Sequence, residues 1–205
     1  MQEYLTVTEV VDWQNLNLLQ LAQKLSTGEP NTTAKACFEW VRDNVFHSSD
    51  YQLNPVTCKA SEVLQHRTGY CFAKSHLLAA LLRANAIPTG FCYQRLSVFD
   101  DGAPFSLHGF NAVYLTDYGW YRLDARGNKP GVDAQFTPPQ ERLAYGINFA
   151  EEIDCQHIFT DPLPQIVRAL QTFRTWDEAL HNLPDLDRDY LATLQDRQST
   201  LLKLS

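Results

Sequence analysis

From Cys71 to Ala84 the chain is apolar almost all round: Phe72, Leu77, Leu78, Ala80, Leu81, Leu82 and Ala84 fall on every side of a helix. A helix with no polar face has to be covered on all sides, so this one belongs at the centre of the molecule. Thr68-Gly69 breaks the chain before it. Asn85 is placed to take a left-handed cap after it, and Pro88 bars continuation. Cys71 therefore stands in the first turn, where the partial positive charge of the helix end favours a thiolate and makes sulfur a nucleophile near neutral pH.

The elements that cover this helix are legible on both sides of it. Asp12 to Leu25 has roughly helical apolar spacing and stops at Ser26-Thr27-Gly28. Asn31 or Thr32 is expected to cap a second helix with a buried stripe of Ala34, Cys37, Phe38, Trp40, Val41 and Val45. Residues 47–59 read as loop and Ala60 to Gln65 as a short helix. Three strands are predicted next, at Gly90–Phe99, Leu107–Leu115 and Trp120–Asp124, separated by turns at Asp100-Asp101-Gly102 and Asp117-Tyr118-Gly119. Helices are expected again at 139–146, 164–174, 176–182 and 187–202. Helices, then strands, then helices indicate an α+β fold with an antiparallel sheet. A length of 205 residues suits one domain, 1–205, with a core at about 15–130 and a C-terminal helical extension at about 131–205.

Several function classes are disfavoured at once. A net charge of −7, with no basic stripe, makes nucleic acid a poor partner. No apolar run approaches the roughly 18–20 residues that span a bilayer, so no membrane partner is expected. Met1-Gln2-Glu3-Tyr4-Leu5 lacks the basic and apolar regions of a signal peptide, and the five irregularly spaced cysteines form no disulfide framework. Cytoplasmic location with reduced thiols is the expectation. The Asn31-Thr32-Thr33 sequon then reads as a helix start.

His108 on the second strand and Asp124 closing the third complete a nucleophile–base–acid set with Cys71, the order acyl-transfer enzymes use. Both numbers are even, which allows one sheet face. A hairpin centred on Thr116 pairs 108 directly with 124. One centred on Tyr118 pairs Asp124 with Ala112 and leaves His108 about 14 Å away at about 3.4 Å per residue. Turn chemistry favours Asp117–Gly119, so the triad needs a particular register or an irregularity.

A buried helix headed by cysteine and packed on such a sheet is the papain-type layout, and local motifs narrow it. The stretch Ala60-Ser61-Glu62-Val63-Leu64, then Thr68-Gly69-Tyr70-Cys71, then Leu77 through Arg83-Ala84-Asn85-Ala86-Ile87-Pro88 resembles the core of the bacterial transglutaminase-like family, with its Gly-x-Cys box and Arg-Ala-x-Gly-Ile-Pro helix end. His108-Gly109-Phe110 resembles that family's His-Ala-Trp strand, and Gly119-Trp120-Tyr121-Arg122-Leu123-Asp124 its Gly-Trp-x-x-x-Asp strand. Phe38 to Val45 resembles the helix that precedes the box. The likeness covers about residues 15–130. It departs at Asn85-Ala86 and at Gly109-Phe110, neither of which removes a catalytic side chain.

The resemblance implies that Cys71 attacks an acyl carbon of a protein, peptide or small amide and forms a thioester. His108 would pair with Cys71 and protonate the leaving amine, and Asp124 would orient the imidazole. Cys71's own N–H would donate to the oxyanion, with Tyr51 or Gln94 as second donor. Tyr70-Cys71-Phe72 also resembles the box of arylamine N-acetyltransferases, and a silent peptide-binding module of the same fold is a third reading. No cofactor is implied and no metal site: residues 71 and 76 lie five apart on one helix, so Cys71 and His76 diverge and do not chelate with His66. His47, His157 and His181 read as ordinary surface or loop residues. Asp185, Asp187, Asp189 and Asp196, alternating with Arg188 and Arg197, read as a solvated face. The sequence leaves oligomeric state open, and equally the choice among protease, amidase and crosslinking enzyme.

Overall fold

In the computed structural model, which describes residues 1–194, the Cys71 helix occupies the centre. Helices α1 (Leu16–Leu25), α2 (Pro30–Asn44), α3 (Ser48–Tyr51) and α4 (Ala60–His66) precede α5 (Cys71–Ala84). Every residue of α5 from Cys71 to Arg83 is buried, as a helix without a polar side requires. Leu77, Leu78, Leu81 and Leu82 are fully enclosed, and truncating any one to Ala typically costs about 2–5 kcal/mol.

Two short strands, β1 (Phe46–His47) and β2 (Thr68–Gly69), pair in parallel just before α5, with His47 opposite Gly69. The main sheet comprises β3 (Thr89–Ser97), β4 (Phe105–Leu115), β5 (Gly119–Leu123) and β6 (Ile153–Phe159), all antiparallel in the order β5-β4-β3-β6. Helices α6 (Pro164–Thr172) and α7 (Trp176–Leu180) follow. The larger apolar core runs through residues from Val10 to Leu191, and a smaller cluster gathers Cys92, Phe110, Ala112 and Ile158.

Four polar residues of α5 are buried with it, Lys74, Ser75, His76 and Arg83, and the two longest satisfy backbone carbonyls. Lys74 donates from Nζ to the carbonyls of Arg42 and Val45, closing the C-terminal end of α2 with a cation. Burial, with the charge of Arg126, brings its pKa down to about 7. Arg83 donates to the carbonyls of Thr6, Thr89 and Thr160, tying the N-terminal segment, the start of β3 and the end of β6 to one helix end.

Several boundaries differ from the sequence expectation, each for a local reason. Glu29 caps α2, its carboxylate accepting from the N–H groups of Asn31 and Thr32, and Pro30 takes the first helical position. Asn31 reaches Asp117 through its side-chain amide. Ala86, not Asn85, adopts the left-handed conformation after α5. Residues 47–59 hold strand and helix as well as loop. No helix forms at 139–146; Gln135 instead bridges Arg142, and Arg142 pairs with Asp133. Strand β6 was not expected at all. The segment at 188–194 is helical, and the rest of the expected 187–202 helix, with Asp196 and Arg197, lies outside the described residues. Asp185 is no bystander on a solvated face, since it holds Arg95 of β3 through two hydrogen bonds of 2.8 Å.

Candidate active site

Cys71 is the first residue of α5, after Tyr70 in extended conformation, and the first turn carries no acidic side chain. Its N–H is one of the donors that a helix start leaves without an intrahelical acceptor, and nothing anionic in that turn offsets the positive end. The Cys71 side chain is buried to 8 % exposure and lines a cavity of about 680 Å³.

The hairpin that carries His108 and Asp124 has neither of the two registers considered from sequence. Leu115 faces Gly119 and Asn111 faces Leu123, so it centres on Asp117. Asp124 follows the last residue of β5 and lies diagonally from His108, a spacing of about 7–8 Å between backbones that side chains close easily. His108 Nε2 and Asp124 Oδ2 are 2.7 Å apart.

Asp124 is fully engaged. Burial alone would raise its pKa, but the imidazole, the Arg126 N–H at 3.0 Å and the Ala144 N–H at 3.1 Å hold it below the ordinary carboxylate value. Burial would likewise lower the pKa of His108. The Asp124 carboxylate and Cys71, each through charge and hydrogen bonding, override that and raise it. With Nε2 committed to Asp124, the nitrogen left for the sulfur is Nδ1. The ring is further fixed by Phe110, stacked at 5.9 Å, and by Tyr145, edge-on at 5.0 Å.

Neither of the two expected oxyanion donors lines the Cys71 cavity. Tyr51 is 57 % exposed, packs on Phe46 at 4.9 Å, and lines a neighbouring cavity. Gln94 sits directly opposite His108 in the β3–β4 ladder, but its amide donates to the Tyr145 carbonyl at 3.4 Å and its Oε1 is sealed off.

What the sequence reading missed is His47. It is 7 % exposed and lines the Cys71 cavity. Beside it, Arg126 and Lys129 both pair with Asp50. Residues after β6 contribute as well: Leu180 and Leu183 form part of the wall, Tyr70 donates its hydroxyl to the Trp176 carbonyl, and Leu107 N–H donates to the Pro184 carbonyl at 2.8 Å. Among the described residues no cluster of His, Cys, Asp or Glu is arranged to hold a metal ion, and His76 spends Nδ1 on the Cys58 carbonyl deep in the core.

A family model described as the transglutaminase-like superfamily matches residues 19–125, more than half of the chain. The chain belongs to the transglutaminase-like superfamily. Solved structures similar to this transglutaminase-like chain include a candidate cysteine protease from Cytophaga hutchinsonii, at 23 % identity and a TM-score of 0.47 over 60 % of this chain and 40 % of that one. Another is the periplasmic domain of TgpA from Pseudomonas aeruginosa, at 20 % identity and a TM-score of 0.44 over 60 % of this chain and 45 % of that one. The chain thus spans less than half the length of either. No curated protein matches it in sequence. Among its described residues no helix is long and apolar enough to cross a membrane.

Proposed function

We propose that this transglutaminase-like chain is a cysteine enzyme that transfers an acyl group from an amide or peptide to water or an amine. The observation that carries the proposal is the 2.7 Å link from Asp124 to His108, which lines one cavity with Cys71, the first residue of α5. In the first step the proton of Cys71 resides on His108, and the sulfur attacks the acyl carbon to form a C–S bond. The carbonyl electron pair moves onto oxygen, where the Cys71 N–H donates to it. The C–N bond then breaks as the imidazolium passes its proton to the departing nitrogen, leaving a thioester. In the second step His108 takes a proton from water or an amine, which attacks the thioester and expels the sulfur.

Asp124 keeps one tautomer and one ring orientation through both steps, the role of the third member in other triads. The cavity wall mixes apolar Phe72, Leu180 and Leu183 with polar His47, Arg126 and Lys129, which suits a substrate larger than an acetyl group.

The test is trapping. Incubation with p-nitrophenyl acetate followed by intact-mass and peptide mass spectrometry should place one acyl group on Cys71, and Cys71→Ser should carry no thioester. An unmodified Cys71 in folded protein, or acylation spread over other side chains, would contradict the proposal.

A further inference from the structure

On that reading the Cys71 N–H supplies one donor to an oxyanion, and neither residue expected to supply the second lines the Cys71 cavity. We propose that His47 is that second donor, its imidazole Nε2–H binding the oxyanion of the tetrahedral intermediate opposite the Cys71 backbone N–H. The inference rests on the acyl-transfer reading above and concerns one residue of it.

Topology puts His47 there. In the β1–β2 pair His47 stands opposite Gly69, two residues before Cys71, so the strand pairing fixes the imidazole next to the start of α5. Its ring meets that of Tyr70 edge-on at 5.4 Å, and Tyr70 directly precedes Cys71. His47 and Cys71 line the same cavity, and His108 is close enough for its charge to be felt at His47.

The contacts of the ring fit that role. Nδ1 lies 3.1 Å from the Ser49 hydroxyl and 3.9 Å from Asp50 Oδ2; with the nearer Ser49 donating to Nδ1, the ring proton stays on Nε2. Among the described residues nothing hydrogen-bonds Nε2. Nor is that atom sealed in the core, as His76 Nε2 is. The charged groups around the ring are Arg126, Lys74 and His108 on the positive side and Asp50 on the negative. Burial first, and Arg126 second, hold the imidazole neutral well below its ordinary pKa. A neutral N–H donor stabilises an oxyanion without competing as an acid for the proton that His108 must carry.

That neutrality makes the proposal separable from the Cys71–His108 pair. Replacing a neutral ring by a neutral side chain leaves the local charge unchanged, so alkylation, which passes through no oxyanion, should persist. The experiment compares His47→Phe and His47→Gln with the unaltered protein, measuring Cys71 acylation by p-nitrophenyl acetate and Cys71 alkylation by iodoacetamide at one pH.

Loss of one oxyanion donor typically lowers the rate by about 10²–10³-fold, and His47→Phe should lose acylation on that scale while alkylation stays within about threefold. His47→Gln, which keeps an N–H donor, should acylate at least about tenfold faster than His47→Phe. The proposal is overturned if His47→Phe acylates like the unaltered protein, if acylation and alkylation fall together, or if His47→Gln is no faster than His47→Phe. A Cys71 inert to both reagents in the unaltered protein would sink the acyl-transfer reading itself, a different result from any of these.

Discussion

His108 and Asp124 meet diagonally across the β4–β5 pair, Nε2 to Oδ2 at 2.7 Å, with Asp124 one residue beyond the end of its strand. That offset lets the carboxylate reach forward to the imidazole while its other contacts, the N–H groups of Arg126 and Ala144, anchor it from the following loop.

The first prediction concerns this pair and pH. His108 is raised from 6.5 to about 10, so the folded state binds its proton more tightly than the unfolded chain does. The stability it contributes is complete below about pH 6.5 and is lost as pH rises through about 10. Asp124 is depressed, so its contribution is present above 3.8 and lost as pH falls through its folded value. Urea unfolding should therefore show the advantage of the unaltered protein over Asp124→Asn as greatest between about pH 4 and 6.5, shrinking toward pH 10. Lys74 has the opposite sign over that range, which is why the difference between variants, and not the raw curve, reports the pair. An advantage that grows with pH would contradict the ion pair. On the proposed mechanism, Asp124→Asn should lose several orders of magnitude in kcat, because the imidazole would adopt the wrong tautomer.

His76 should govern part of the acid limb. It is buried, its Nε2 has no partner, and burial lowers its pKa to about 4. The unfolded chain takes up its proton first, so stability should fall as pH drops from 6.5 to about 4, by on the order of 3 kcal/mol. His76→Asn should flatten that limb in denaturant titrations; an unchanged slope would mean the ring is reached by water.

Gly109 stands where the family's strand usually carries Ala. A Cβ there would lie 2.7 Å from Phe72 Cδ1 and 3.4 Å from Tyr93 Cε1. Phe72 adjoins Cys71, so Gly109→Ala should push on the first turn of α5, costing about 1–3 kcal/mol in unfolding experiments and slowing Cys71 acylation. Pairing it with Phe72→Leu should restore both. A fully stable, fully active Gly109→Ala would show that the ring moves aside freely.

Arg83, within the motif that ends α5, should prove structural. Its three carbonyl partners would be left without a donor in Arg83→Met, for a loss of about 2–4 kcal/mol in thermal or urea unfolding. Arg83→Lys should recover only part, because an ammonium cannot fork between separated carbonyls. Cys71 alkylation should be unaffected below the unfolding midpoint.

Much of this was legible in the sequence, and the exceptions are physical. The all-apolar α5 dictated its own burial, and the three strands of the hairpin region followed from alternation and turns. Register did not, because Asp117, Tyr118 and Gly119 are all good turn residues and one shifted residue moves the partner of Asp124 by two. Strand β6 escaped because its pairing with β3 shifts register between Phe91 and Tyr93, which breaks the alternation that marks a strand. Residues 139–146 have helical composition, but Ala144 spends its N–H on Asp124 and Tyr145 its carbonyl on Gln94. His47 gave no signal of its own. A two-residue strand carries no period, and only its pairing with Gly69 brings it to the cavity.

The central claim is that Cys71 is a nucleophile activated by His108, and selective alkylation tests it most directly. Burial pushes Cys37 and Cys58 up to about 12 and raises Cys92 and Cys155 as well, so those four should stay silent. Iodoacetamide at pH 6–7, below the value of about 8.5 for a free thiol, should modify Cys71 alone, with His108→Ala slowing the reaction and Cys71→Ser abolishing it. Labelling of Cys71 that rises only as a free thiol ionises, and is indifferent to His108, would contradict the account.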